Sequence, residues 1–326
     1  MRVFVLGCGS IGRRHIANLV ALGVSDILAF DPSHERLSDI VARHRVRACQ
    51  TEAEGLSARP DVVLVCSPPH VHVRQARAAV AAGSHVFVEK PLGHALDDVD
   101  CLLSEAAHAH RVLAVGYNLR FHQGLLCLKR IIDEGAIGHI ICVRAEFGQY
   151  LPDWRPKDDY RSTYTARSAE GGGIILDASH ELDYVRWIGG EVRTVSCTAA
   201  RLSDLDIDVE DTAEITLHLE GGILAHVHVD CVQRGYTRRC TVAGTDGTLV
   251  WDYQYGMRQF EGATGQWREW PIVTDTNQMY FDELAQFLKS ARGEAAPMVD
   301  GLTGRRVLQI ALAAKHAAKL GREVEI

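Results

Sequence analysis

From Arg2 to Val115 the chain alternates short apolar runs, many of them β-branched, with longer stretches whose apolar residues recur at helical spacing. The runs Arg2–Leu6, Asp26–Phe30, Val46–Cys49, Asp61–Cys66, His85–Val88 and Val112–Val115 read as strands. Between them Ile11–Leu22, Ser33–His44, His72–Ala82 and Asp97–His110 read as helices, with Gly23 and Gly83 placed where a left-handed residue closes a helix. Strands separated by helices need crossover connections. The pattern therefore predicts an α/β Rossmann domain with a doubly wound parallel sheet.

After Tyr117 the pattern changes. A helix is expected over Gln123–Glu134 and a strand over Ile140–Phe147. Strands dominate from Glu191 to Trp270, with Gly221-Gly222 and Asp246-Gly247 as hairpin turns, and helices over Met279–Arg292 and Leu302–Leu320 follow. The prediction is an α+β domain with a large, mostly antiparallel open sheet, and a division into residues 1–120 and 121–326. In its central hairpin Ala213, Ile215, Leu217 and Leu219 share a face with Ile223, Ala225, Val227 and Val229, the face expected to carry helices. Thr212, Thr216, His218, His226 and His228 take the other face, which suits a half-solvated surface or a sheet-to-sheet contact between subunits better than a metal site.

The stretch from Gly148 to Glu170 has no periodicity, yet its Trp154, Tyr160 and Tyr164 argue against disorder, and loops of this length are usually functional. Arg155, Arg161 and Arg167 lie among those rings, a combination suited to a ring bearing a carboxylate or phosphate. Asp153, Asp158 and Asp159 offer the same arginines internal ion pairs instead.

Composition narrows the partners. With 326 residues, 47% hydrophobic and 24% charged, the chain can build two ordinary cores without disulfides or structural metal. The formal charge of −7 and the lack of any Lys/Arg block give no field for nucleic acid or an acidic membrane surface. Nine cysteines, odd in number and without a CxxC pair, fit a reducing compartment and no zinc framework. No run approaches a membrane span, and a strand starting at residue 2 leaves no room for a leader, so a cytoplasmic protein with small-molecule partners and no metal is expected.

Three motifs carry chemistry. Gly7-Cys8-Gly9-Ser10-Ile11-Gly12 follows an expected strand and opens an expected helix, and Asp31 ends the next strand. Such glycines allow a tight turn, close approach to a pyrophosphate and close helix packing, while the acidic residue accepts hydrogen bonds from a ribose and repels a 2′-phosphate. This points to NAD. Ser67, Pro68 and His72 follow the fourth strand, and Glu89-Lys90-Pro91 the fifth, at the sheet edge where ligands bind in such folds. The third motif is Gly171-Gly172-Gly173 followed by Asp177, His180, Glu181, Asp183 and Tyr184. At helical spacing Asp177, His180, Glu181 and Tyr184 form one polar stripe, in which an Asp can set the tautomer of a histidine acting as general base. An Asp/His pair on a helix surface is also a common plain hydrogen bond.

Together these motifs resemble the Gfo/Idh/MocA oxidoreductases, as do Gly116-Tyr117-Asn118-Leu119-Arg120-Phe121 at the domain junction and the helix opened by Asp300-Gly301-Leu302. The resemblance covers nearly the whole chain, and Glu89-Lys90-Pro91 is its most specific element. It implies an NAD-dependent dehydrogenase or reductase that interconverts a secondary alcohol and a ketone on a sugar, sugar derivative or cyclitol. It also implies a homodimer or homotetramer joined through the second-domain sheet. Carried over by motif, Lys90 binds the reacting hydroxyl, and His180, oriented by Asp177, moves the proton. Gly7, Gly9, Ser10, Ile11, Gly12, Asp31, Ser67, Pro68, His72, Glu89 and Lys90 are then cofactor contacts, and Lys90, Asn118, Arg161, Tyr164, Arg167, Asp177 and His180 substrate contacts. One departure stands out: Asp177 precedes His180 by three residues, where the family often has four. Two other readings of the same fold are a glycosidase that recycles bound NAD and a non-catalytic NAD sensor; fold alone does not separate them.

Overall fold

The computed structural model describes residues 1–271 and 275–326. The chain divides into two compact units, Met1–Asn118 with Asn277–Arg306, and Leu119–Thr276 with Val307–Ile326.

In the first unit β1 (Arg2–Leu6), β2 (Asp26–Phe30), β3 (Arg47–Ala48), β4 (Val62–Val65), β5 (His85–Glu89) and β6 (Leu113–Gly116) form one parallel sheet in the order β3-β2-β1-β4-β5-β6. Its middle strands are apolar at consecutive positions and buried on both faces, as a helix-covered parallel sheet requires. The crossovers are α1 (Ser10–Ala21), α2 (His34–Arg43), α3 (Glu52–Ser57), α4 (Pro69–Ala81) and α5 (Val99–His108). The order reverses between β1 and β4, which opens a ligand crevice at their carboxyl ends.

The helix α3 lies outside the sequence expectation. Thr51 accepts the amide of Glu54 at 3.1 Å, so a Thr-x-x-Glu capping pattern carried its signal. Residues 277–306, placed with the second domain by sequence order, belong to the first unit. Leu284, Phe287 and Leu288 enter the core with Val3, Val5 and Phe87, and the Phe87 and Phe287 rings meet at 5.4 Å.

In the second unit α6 (Gln123–Asp133) leads to β7 (Ile140–Gly148), followed by the short α7 (Leu151–Trp154), α8 (Ile174–Asp177) and α9 (Ser179–Gly189). Then come β8 (Val192–Ala200), β9 (Thr212–Leu219), β10 (Leu224–Asp230), β11 (Thr237–Gly244), β12 (Gly247–Asp252), β13 (Gly256–Glu261) and β14 (Gln266–Trp270). Next in the chain come α10 (Thr276–Ala291), nearly all of it in the first unit, and α11 (Gly301–Leu320), which joins the second unit from Val307, before β15 (Val324–Glu325). Among the described residues nine strands form one sheet in the order β14-β13-β12-β11-β7-β10-β9-β8-β15, in which only the β7/β10 pair is parallel.

The hairpin β9/β10 buries Ala213, Ile215, Leu217, Leu219, Ala225, Val227 and Val229, and α9 packs over β7 and β10. On the opposite face His218 and His226 are exposed, while His228 lies between Glu214 and Asp230. Residues 148–170 are ordered by short turns of helix: α7, Tyr160–Ser162, Tyr164–Ala166 and Ser168–Glu170. The segment before β9 pins them, with Asp208 accepting the Ser168 amide at 2.6 Å and the Tyr160 hydroxyl accepting the Asp206 amide at 3.2 Å. Among the described residues no helix is long and apolar enough to cross a membrane.

Candidate active site

In the first unit, β1 runs into Gly7, whose φ of +94° suits glycine and at which a Cβ would lie 2.7 Å from the carbonyl oxygen of Cys66. At Gly12 a Cβ would stand 1.9 Å from the Gly7 oxygen, so only glycine lets α1 start this close to the turn. Gly9, by contrast, faces open space, and no side chain caps α1 there. The first-turn amides, those of Ser10 and Ile11 among them, have no partner within their own helix and suit a pyrophosphate. Asp31 follows β2, with one carboxylate oxygen accepting the Cys8 amide at 2.7 Å and the other the Ser33 amide at 2.8 Å. These bonds fix an acidic group at the strand end and leave each oxygen able to accept another. The intervening Cys8 is buried, and burial followed by the Asp31 charge pushes its thiol up to about 12. These residues fit an NAD cofactor.

Farther along the same edge, Lys90 follows β5 half-exposed, and its amide donates to the Glu89 carboxylate at 3.3 Å. Glu89 also meets buried His15 at 2.6 Å, so it braces the turn that presents Lys90. His72, expected among the cofactor contacts, is buried. Its buried ring spans Ser67 O at 2.6 Å and Pro91 O at 2.8 Å, leaving neither nitrogen for a ligand, and burial lowers its pKa. It straps the loop after β4 to the loop after β5. Ser67 points its hydroxyl at Gln75, 2.5 Å away, with Pro68 next to it at the start of α4. Asn118 is buried just beyond β6.

In the second unit the triple glycine turns the chain into α8 rather than into one long helix. Ala178, at φ −92° and ψ 27°, separates α8 from α9, so Asp177 ends one helix and His180 lies in the first turn of the next. The expected continuous stripe is therefore broken between the two residues that matter most. It is also buried: Asp177 and His180 are 6% and 7% exposed, and Glu181 and Tyr184 are wholly enclosed. Glu181 is taken by Arg238 at 2.9 Å, and Asp183 by a two-point pair with Arg120 at 2.7 and 2.8 Å. These are packing ion pairs. The Tyr164 hydroxyl donates to Asp177 Oδ1 at 2.8 Å, and burial, reinforced by the Asp177 charge, holds that phenol well above its ordinary pKa.

Arg161 and Arg167, expected to touch substrate, do not come to this cluster free-handed. Exposed Arg161 forms a two-point pair with Asp159, while Arg167 donates to the Arg161 carbonyl and pairs with Glu170 at 3.8 Å. Asp159 of the same loop claims the guanidinium it sits beside. Among the described residues no three His, Cys, Asp or Glu side chains group to hold a metal.

Comparison with known proteins bears on both units. The oxidoreductase family with an NAD-binding Rossmann fold matches residues 1–117, and the GFO/IDH/MocA C-terminal domain matches residues 125–250. The myo-inositol 2-dehydrogenase of Thermotoga maritima is 30% identical over 100% of this chain and 98% of its own length. The chain belongs to the Gfo/Idh/MocA family. It is accordingly an NAD-dependent oxidoreductase. A second relative, the 1,5-anhydro-D-fructose reductase of Ensifer adhaerens, is 27% identical over 99% of the chain and 97% of that protein. Levoglucosan dehydrogenase in complex with NADH shares the fold, with a TM-score of 0.91 at 19% identity over 100% of this chain and 99% of that one.

Proposed function

We propose that this Gfo/Idh/MocA oxidoreductase interconverts a secondary alcohol and a ketone on an uncharged sugar, sugar derivative or cyclitol. The observation that carries the reading is the retained acid–base set: Lys90 at the carboxyl end of β5, and His180 three residues beyond an Asp177 that Tyr164 holds. The substrate class follows the relatives, named for inositol and 1,5-anhydro-D-fructose. A neutral ring is favoured because Asp159 and Glu170 already occupy Arg161 and Arg167.

In the oxidative direction His180 takes the hydroxyl proton, Lys90 stabilises the alkoxide as it develops, and Asp177 keeps the imidazole in the orientation that accepts. NAD, held by Gly7, Gly9, Ser10, Ile11, Gly12 and Asp31, supplies the hydride acceptor. Asn118 is assigned to the substrate side. The exposed face of the nine-stranded sheet, with His218 and His226, is assigned to contact between copies of the chain, which sedimentation will test.

A screen of sugars, sugar phosphates, nucleotide sugars and inositols with NAD, read by NADH absorbance, tests the reading. Net NADH on a neutral polyol is expected. Cleavage of a glycoside without net NADH would contradict it in favour of the recycling glycosidase.

A further inference from the structure

The turn that delivers Asp177 is held by a residue far from every motif. Glu210 lies just before β9, and its backbone carbonyl accepts the Ile174 amide at 3.1 Å while its Oε1 accepts the Ile175 amide at 3.3 Å. Both carboxylate oxygens stand 3.1 Å from Lys315 Nζ on α11, and the two side chains are only 12% and 25% exposed. Gly173 makes room for this carboxylate. Its φ is +109°, and a Cβ there would lie 2.4 Å from Glu210 Oε1.

The opposite side of the turn is equally confined. At Gly172 a Cβ would come within 2.3 Å of the Tyr164 carbonyl, and the Gly173 amide donates to Thr165 O at 3.1 Å. One turn later the Asp177 amide donates to Gly173 O at 3.0 Å, and the Asp177 carboxylate meets the Tyr164 hydroxyl. The glycine turn is thus clamped between Glu210 on one side and the Tyr164–Thr165 backbone on the other, with Asp177 at its outgoing end.

We infer that Glu210, neutralised and held by Lys315, is a positioning residue for Asp177: it fixes the backbone of α8 so that Asp177 meets Tyr164 and orients the His180 imidazole. The inference rests on the proposed roles of Asp177 and His180. Glu210 touches no reacting atom, so its loss should misplace Asp177 without weakening cofactor binding, whose residues lie in the other unit. Displacements of this kind, remote from the chemistry, cost about ten- to a hundredfold in turnover.

A double-mutant cycle tests it, using the full chain and the best polyol from the screen. Glu210→Gln should lower kcat about tenfold or more while KM and NADH affinity stay within twofold. Lys315→Met should reproduce the loss and Lys315→Arg should restore most of the activity. In an Asp177→Asn background Glu210→Gln should cost nothing further, because both changes disable one unit. If Glu210→Gln does not fold, the Lys315→Met and Asp177→Asn pair completes the same cycle. Full activity of the Glu210 and Lys315 variants beside an impaired Asp177→Asn, or losses that multiply in the double variant, would overturn the inference and leave the proposed function standing. Full activity of Asp177→Asn would overturn the role of Asp177 and the inference together.

Discussion

His15 Nε2 lies 2.6 Å from Glu89 Oε1, and the histidine is wholly buried in the first unit against the edge of Phe87. Glu89 in turn accepts the Lys90 amide, so a helix residue of the glycine motif supports the strand end that carries the candidate catalytic lysine. Replacing Glu89 by Ala strands a buried imidazole and frees the turn. The expected cost is about 2 kcal/mol of folding stability, read by urea denaturation, with a fall in kcat beyond what the stability loss explains.

The buried pair of Arg120 and Asp183 should matter far more to stability than any ion pair of the loop before the triple glycine. Its side chains are 6% and 1% exposed, and Arg120 also stacks on Trp187 at 5.2 Å. Asp183→Ala leaves a buried guanidinium unpaired and should cost about 3–5 kcal/mol. Arg161→Ala removes an exposed pair and should change stability by less than about 1 kcal/mol, with KM for a neutral polyol unchanged. Thermal melts and steady-state kinetics on the two variants check both.

His228 supplies a pH signature. The Asp230 carboxylate, and after it Glu214, raise its pKa to about 9 against the lowering effect of partial burial. Because the folded value lies above the ordinary 6.5, the pair stabilises fully below pH 6.5 and the contribution fades as pH rises toward 9. The melting temperature of the native protein should exceed that of His228→Gln most at pH 6 and least at pH 9.5. An equal gap at both would show that the imidazolium contributes nothing.

Asp31 is proposed to set cofactor choice. Its carboxylate is fixed by the Cys8 and Ser33 amides at the end of β2, where a 2′-phosphate would meet negative charge. NADH should bind more tightly than NADPH, and Asp31→Ala should narrow the difference chiefly by weakening NADH. Fluorescence titration with both nucleotides measures it.

The alternation of Val-rich runs with helical stretches made the first sheet legible, because β1, β4, β5 and β6 are apolar through their middle positions and α1 and α4 are followed by Gly23 and Gly83. The mostly antiparallel sheet was readable from the period of two in Ala213–Leu219. Other features depend on partners distant in sequence. The break at Ala178 lies beyond a glycine turn clamped by Glu210 and Tyr164. Glu181 and Asp183 are packing residues only because Arg238 and Arg120, 57 and 63 positions away, meet them. The apolar face of α10 was readable, but not which core it enters. In the loop of residues 148–170 the pairing of Arg161 with Asp159 is written two residues apart.

The proposed mechanism depends most on Lys90 and His180 acting on one hydroxyl. The turnover number of Lys90→Ala and His180→Ala on the best polyol, with NADH affinity measured alongside, tests this most directly. Each kcat should fall by about a hundredfold or more with NADH binding nearly unchanged, and the His180→Ala loss should shrink at high pH as solvent base substitutes. Either variant turning over at the native rate would contradict the mechanism.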